Sequence, residues 1–236
     1  MFGRRRVPVK HAAVSARNLL RTRVHHTPDC PTFACRQGSC VQFGVGTRAR
    51  CDGYVSAVTD TPVVHGLPVR ILNTRPDIVT TRVVERLSAA LDLIATYAPR
   101  CYRRLHTDLS GLVVERFACR GAFFPDSREC LVELTFTVNP AHGLPEIAAS
   151  IVHEATHARV ASWCGGTLQV HRHREERLCR RAEVEFGRAV PHGGVVLQRA
   201  LDSLALDDWN VAPDVDWEEA SRRVADADAR ARLGPA

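Results

Sequence analysis

The chain has 236 residues, 45% of them hydrophobic and 25% charged, which supplies one core and favours one domain with extensions over two domains. No stretch approaches eighteen uninterrupted apolar residues, so no membrane span is expected. The net charge of +6 is uneven: residues 1–70 carry 11 Lys+Arg against 3 Asp+Glu, a balance of +8, and residues 201–236 carry 4 against 9, a balance of −5.

Residues 1–28 hold Arg4, Arg5, Arg6, Lys10, Arg17, Arg21 and Arg23, with no acid before Asp29. This composition predicts a solvated, disordered arm. It also suits contact with nucleic acid or an anionic surface, or a transit-type presequence. The stretch from Ala12 to Leu20 is interrupted by Ser15, Arg17 and Asn18, which argues against a secretory signal. A reducing, cytoplasmic location is therefore expected. Residues 29–66 read as a Cys-rich extension. Cys30, Cys35, Cys40 and Cys51 cluster there with little apolar periodicity, and four thiolates could hold a structural zinc. The two-residue spacing of common zinc knuckles is missing, and two disulfides are the alternative. Cys101, Cys119, Cys130, Cys164 and Cys179 read as buried free thiols.

Residues 67–200 carry the main periodic segments. Val69 to Leu72 predicts a short strand. Thr80 to Leu105 predicts a long helix with Val83, Val84, Leu87, Leu91, Ile94 and Ala95 along one side, kinked or ended by Pro99. Leu109 to Phe117 predicts a strand and Cys119 to Arg128 a loop. In Leu131 to Val138, apolar Val132, Leu134, Phe136 and Val138 alternate with Glu133, Thr135 and Thr137, the pattern of a half-buried strand.

Pro140 and Pro145 then precede a run from Glu146 to Trp163 that holds no proline or glycine. Ile147, Ile151, Ala155 and Ala158 recur at helical spacing, and Gly165-Gly166 ends the run. Inside it stands His153-Glu154-Ala155-Thr156-His157. Residues four apart share one helix face, so two imidazoles could grip one metal ion, zinc being the usual occupant. Glu154 is placed to take a proton from a water on that ion. The competing reading is an amphipathic helix with two surface histidines.

A third ligand must lie outside the motif. A second helix is expected over 174–190, and on it Glu176, Cys179, Glu183, Phe186 and Val190 fall on one face. A carboxylate on a buried face needs a partner. Glu176 is the expected ligand and Glu183 the group that orients a ligand histidine, with the roles open to exchange. Glu175 falls to the side and reads as solvated. Alternatively both inward glutamates pair with Arg177, Arg180 or Arg181.

With His153, Glu154 and His157 on one helix and a glutamate about twenty residues on, the chain resembles the zincin metallopeptidases, and among them the gluzincins. The resemblance covers roughly residues 68–192, and its specific part is the motif. It implies an α+β fold: a small mixed sheet, a motif-bearing active-site helix and a second glutamate-bearing helix. It implies peptide hydrolysis by a zinc-bound water, with Glu154 as general base and His153, His157 and Glu176 as ligands. It also implies that the strand before the motif helix, here 131–138, is a sheet edge beside a substrate groove; the residues themselves suit a plain core strand equally well. Two departures stand out: Trp163 occupies the place of the metzincin third histidine, and Arg180 stands where gluzincins often have an aspartate. An oxyanion donor is needed as well. His171, His173 and His192 are nearest in sequence, and His192, next to Gly193-Gly194, is the expected one.

Residues 201–236 read as an acidic tail, with Trp209 and Trp217 packed back on the main domain and a helix from Glu218 to Leu233. The implied substrate is a peptide or protein and the cofactor Zn2+. The rival from another class is a non-enzymatic zinc-stabilised binding module that contacts nucleic acid or acidic protein.

Overall fold

The computed structural model describes residues 61–164 and 172–233. The basic arm and Cys30, Cys35, Cys40 and Cys51 lie outside the described residues. Strand β1 (Val63–Val64) turns directly into β2 (Leu67–Leu72) through His65 and Gly66, both at positive φ (52° and 77°). Two left-handed residues in a two-residue loop make the turn whose twist matches paired strands.

Helix α1 (Thr80–Tyr97) buries Val83, Leu87, Ala90, Leu91 and Ile94. A residue before proline is pushed out of helical geometry, and Ala98 sits at φ −136° and ψ 57°. Pro99 therefore ends α1 and begins α2 (Pro99–Asp108), where a first-turn proline costs no hydrogen bond.

The sheet is mixed, in the order β1-β2-β3-β5-β4. Strand β3 (Gly111–Glu115) runs parallel to β2 and to β5 (Glu129–Glu133), while β4 (Gly121–Phe124) pairs antiparallel with β5. Two sequence expectations are corrected here. The stretch 131–138 is not one strand: it is strand only to Glu133, and Leu134–Val138 forms the short helix α3. Glu133 causes the switch by capping that helix, its carboxylate accepting from Phe136 N–H at 2.5 Å. Nor is β5 the edge. It is paired on both sides and buried from Cys130 to Glu133. The outer strand on that side is β4, which falls in the stretch expected to be a loop.

Helix α4 (Leu144–Cys164) carries the motif and packs against α1, α2, β4 and β5. Ile147, Ala148, Ala149 and Ile151 are fully buried, because α4 has neighbours on most of its circumference. Helix α5 (Arg172–Ala189) lies along α4 and buries Cys179, Glu183 and Phe186. Helix α6 (Gly194–Leu204), unforeseen in the sequence, returns along α5. A Cβ at Gly187 would stand 2.8 Å from Leu197 N, so that approach requires glycine. The expected boundary at residue 201 falls inside α6.

The acidic tail forms α7 (Asp208–Val211) and α8 (Trp217–Leu233), and belongs to the same compact unit as the sheet. Asp228 of α8 accepts from Arg116 Nε at 2.8 Å and from Arg75 at 3.3 Å. Trp217 packs on Phe117, with ring centroids 5.7 Å apart. Trp209, expected to pack inward, is 84% exposed. Among the described residues the structure is α+β, with eight helices and a five-stranded mixed sheet, and no helix is long and apolar enough to cross a membrane.

Candidate metal centre

His153 and His157 point from α4 towards α5 with their Nε2 atoms 3.1 Å apart. Glu176 of α5 reaches both: Oε2 stands 3.4 Å from His153 Nε2, and Oε1 3.4 Å from His157 Nε2. Each ring is held from behind. His153 Nδ1 lies 3.1 Å from Glu183 Oε1, and His157 Nδ1 lies 2.8 Å from Glu175 Oε1. An ionised carboxylate only accepts, so it holds the proton on Nδ1 and turns the Nε2 lone pair inward. The inward atoms are thus two imidazole nitrogens and a carboxylate.

Those spacings fit zinc. Tetrahedral bonds of about 2.0–2.1 Å would set neighbouring donors roughly 3.3 Å apart, and the three separations here are 3.1, 3.4 and 3.4 Å. A second donor set substitutes Cys179 for Glu176, with ligand atoms of His153, His157 and Cys179 within 4.8 Å of one another. That spread is wider than zinc needs. Burial also pushes the Cys179 thiol up to about 11 despite the nearby His157, so it stays protonated at neutral pH in the metal-free protein. Glu176 is the better ligand: burial opposes its ionisation, but its contacts to both histidines win and hold it well below the usual carboxylate value.

Glu154 is 7% exposed and lines the cleft beside the two histidines. Its carboxyl is pushed above the ordinary value, first by burial, with partial relief from His153 and His157. Strand β4 fixes its position. A Cβ on Gly121 would lie 2.6 Å from Ser150 Oγ and 3.0 Å from Glu154 Oε1, so only glycine lets the strand approach α4 here. The cleft, ≈ 590 Å³, runs between β4, the α4–α5 face and the 211–217 segment.

The structure brings together His153, Glu154, His157, Glu176 and Glu183. It does not bring in His192, which is exposed in the turn after α5 at φ 60° and lines no part of this cleft. The chain reverses there so that α6 can double back on α5: Gly193 is buried against Gly187 and Val190, while His192 is left outside. His171 lies outside the described residues, and His173 meets Asp208 at 3.6 Å. Glu175, read as solvated, instead backs His157, since residues 175 and 176 diverge around the same histidine. The inward glutamates also divide. Glu183 pairs with Arg180 and Arg199, whereas the ion pairs of Glu176 are with the two histidines. Sequence reasoning missed Arg199, carried by the unforeseen α6; Trp217, expected to pack back on the main domain, does so and also lines the cleft. No family model, curated protein or solved structure matches the chain.

Proposed function

We propose that the chain is a zinc-dependent metallopeptidase of zincin-like architecture. The observation that carries this reading is the convergence of two Nε2 atoms and one carboxylate at zinc spacing, with Glu154 beside them in an open cleft. Zinc held by His153, His157 and Glu176 would polarise a peptide carbonyl and lower the pKa of a water towards about 7. Glu183 and Glu175 keep the two imidazoles in the ligating tautomer. Glu154 accepts the proton of the attacking water and delivers it to the leaving amine. Strand β4 borders the cleft as one of the two outer strands of the described sheet, and an extended peptide could pair with it by main-chain hydrogen bonds.

The binding-module reading keeps one specific support. Cys179 lies near the same histidines, and as a fourth ligand it would close the site. The decisive measurement is zinc content and peptide turnover of the full chain beside Glu154→Gln and Cys179→Ser. A peptidase keeps zinc in both variants and loses turnover in Glu154→Gln. Loss of zinc in Cys179→Ser, with no turnover by the unaltered chain, would establish a closed structural site.

A further inference from the structure

The two ends of the cleft differ in charge balance. Along α5, Arg172 precedes Glu176 by four residues and Arg180 follows it by four, so they lie roughly 6 Å to either side at about 1.5 Å per residue. The Arg172 end is closed by the tail: Arg172 donates to Asp214 at 3.2 Å and to the Pro213 carbonyl at 3.1 Å, and Val215 and Trp217 complete the wall. Its cation is neutralised and its lining is largely apolar.

The opposite end is not neutralised. Arg180 and Arg199 both line the cleft, and among the described residues both pair with one carboxylate, that of Glu183. Arg180 donates to both Glu183 oxygens at 3.1 Å, and Arg199 approaches Oε1 at 3.6 Å. That same Oε1 already serves His153 Nδ1 at 3.1 Å. One negative charge is divided among two guanidiniums and an imidazole. The Nε atoms of Arg180 and Arg199 are buried without a hydrogen-bond partner among the described residues. Burial lowers the Arg199 pKa; Glu183 and, more weakly, Glu146 oppose this, while Arg120 and Arg180 add to it. Arg120 has its own partner in Glu146 at 3.7 Å, so the surplus rests on Arg180 and Arg199 sharing Glu183. A partly desolvated surplus of positive charge is costly unless an anion meets it. The side chains of Arg180 and Arg199 remain 25% and 30% exposed, open to a ligand in the cleft.

We propose that Arg180 and Arg199 form an anion subsite that takes a carboxylate of the bound peptide, either its terminal α-carboxylate or an Asp or Glu side chain close to the scissile bond. The inference rests on the peptidase reading for the substrate class. Guanidinium pairs suit a planar carboxylate because they offer parallel donors. The subsite lies about one helical turn from Glu176, so the carboxylate recognised belongs to a residue next to the bond under attack, not to a distant part of the chain.

The test uses three labelled peptides of one sequence free of acidic side chains: a free C-terminal acid, its C-terminal amide, and the amide with one Glu. Binding is read by fluorescence anisotropy on zinc-loaded Glu154→Gln, and cleavage by mass spectrometry on the unaltered chain. At least one carboxylate peptide should bind about tenfold or more tightly than the neutral amide, the scale of a charge-assisted hydrogen bond. Whichever gains identifies the source of the carboxylate. Adding Arg199→Gln should bring that ratio to about one, and Arg199→Lys should keep part of it, with zinc content measured in each. Acetate should compete with the carboxylate peptide and not with the amide, a check that needs no arginine variant. Equal binding of all three peptides, absence of binding, or indifference to acetate would each overturn the subsite. If the carboxylate preference is present but the unaltered chain cuts no peptide, the subsite stands and the peptidase reading falls.

Discussion

Among the described residues, two clusters of buried charge are built differently. At the end of the sheet, Arg116 meets Glu133 and Asp228, Arg75 meets Asp228 and Asp77, and Thr135 completes the set. Each donor there faces an acceptor. At the α4–α5 crossing, acceptors face one another: two imidazole nitrogens 3.1 Å apart, and a carboxylate 3.4 Å from each. The first arrangement is complete with protein atoms alone. The second needs protons or a cation at its centre. Both place charge beneath the surface, so burial does not separate scaffold from site. The direction in which the polar atoms point does.

The largest expected effects break the second cluster. Glu154→Gln should lower peptide turnover by about 10²–10⁴-fold, the usual worth of a general base, and leave zinc content unchanged. His153→Ala or His157→Ala should abolish zinc binding at the crossing, read by metal analysis after dialysis. Full zinc in either histidine variant would remove the crossing from consideration as a metal centre.

Breaking the first cluster should do the reverse. Arg116→Ala takes an ion-pair partner from Glu133 and leaves Asp228 to Arg75, and the side chains of the two acids are 6% and 12% exposed. Removing one partner of such a buried group costs about 3–5 kcal/mol of stability. The loss is read by urea denaturation, while zinc affinity of the folded fraction stays as it was. A fall in zinc affinity comparable to that of the histidine variants would show that the two clusters are coupled and that the contrast fails.

Much of the site was legible in the sequence and much of its surroundings was not, for a physical reason. A helix fixes which residues share a face, so His153 and His157 could be paired, and Glu176 and Glu183 placed on one side of α5, from spacing alone. Spacing says nothing about which neighbour arrives from elsewhere. Arg199 comes from α6, which has no strong start signal beyond Gly193-Gly194, and although Trp217 was expected to pack on the main domain, its spacing did not say that it would line the cleft. Glu175 was misread because it sits beside the inward face; with His153 and His157 held between two helices, the flank of α5 also meets His157. The strand error has a different origin. Alternation of Val132, Leu134, Phe136 and Val138 suits a strand, but Glu133 can cap a helix, and a side chain that bonds its own backbone overrides a pattern of burial.

The groups behind the histidines sharpen the comparison at a smaller scale. Glu183→Gln and Glu175→Gln should each weaken zinc affinity by about 10–100-fold, the usual effect of removing the partner that orients a ligand histidine. Glu183 should show the larger loss. Its side chain is 2% exposed against 22% for Glu175, and it also holds Arg180 and Arg199. The reverse ranking would show that His157, not His153, is the anchor of the site.

The last effect is smaller and depends on pH. In the metal-free protein both imidazoles are held above their ordinary value of 6.5. Burial alone would lower them, but it is outweighed by Glu176 and Glu183 at His153 and by Cys179, Glu175 and Glu176 at His157. A base whose folded pKa is raised stabilises the fold fully below its unfolded value and loses that contribution as pH rises through the folded value. The metal-free chain should therefore lose stability from about pH 6.5 upward, as the imidazoles give up the protons that bind them to their carboxylates. Zinc takes the place of those protons, so the loaded chain has no such loss to undergo. The gap in Tm between loaded and metal-free protein should widen by a few degrees between about pH 6 and about pH 9. Scanning calorimetry of both forms across that range reads the difference directly. Arg116→Ala serves as the control, because its cluster contains no histidine and lies apart from the α4–α5 face: it should lower both curves and leave the gap as wide as before. A gap that stays constant or narrows with rising pH would mean that the inward nitrogens carry no exchangeable proton in the metal-free state, and the contrast between a self-contained cluster and one that waits for a cation would no longer hold.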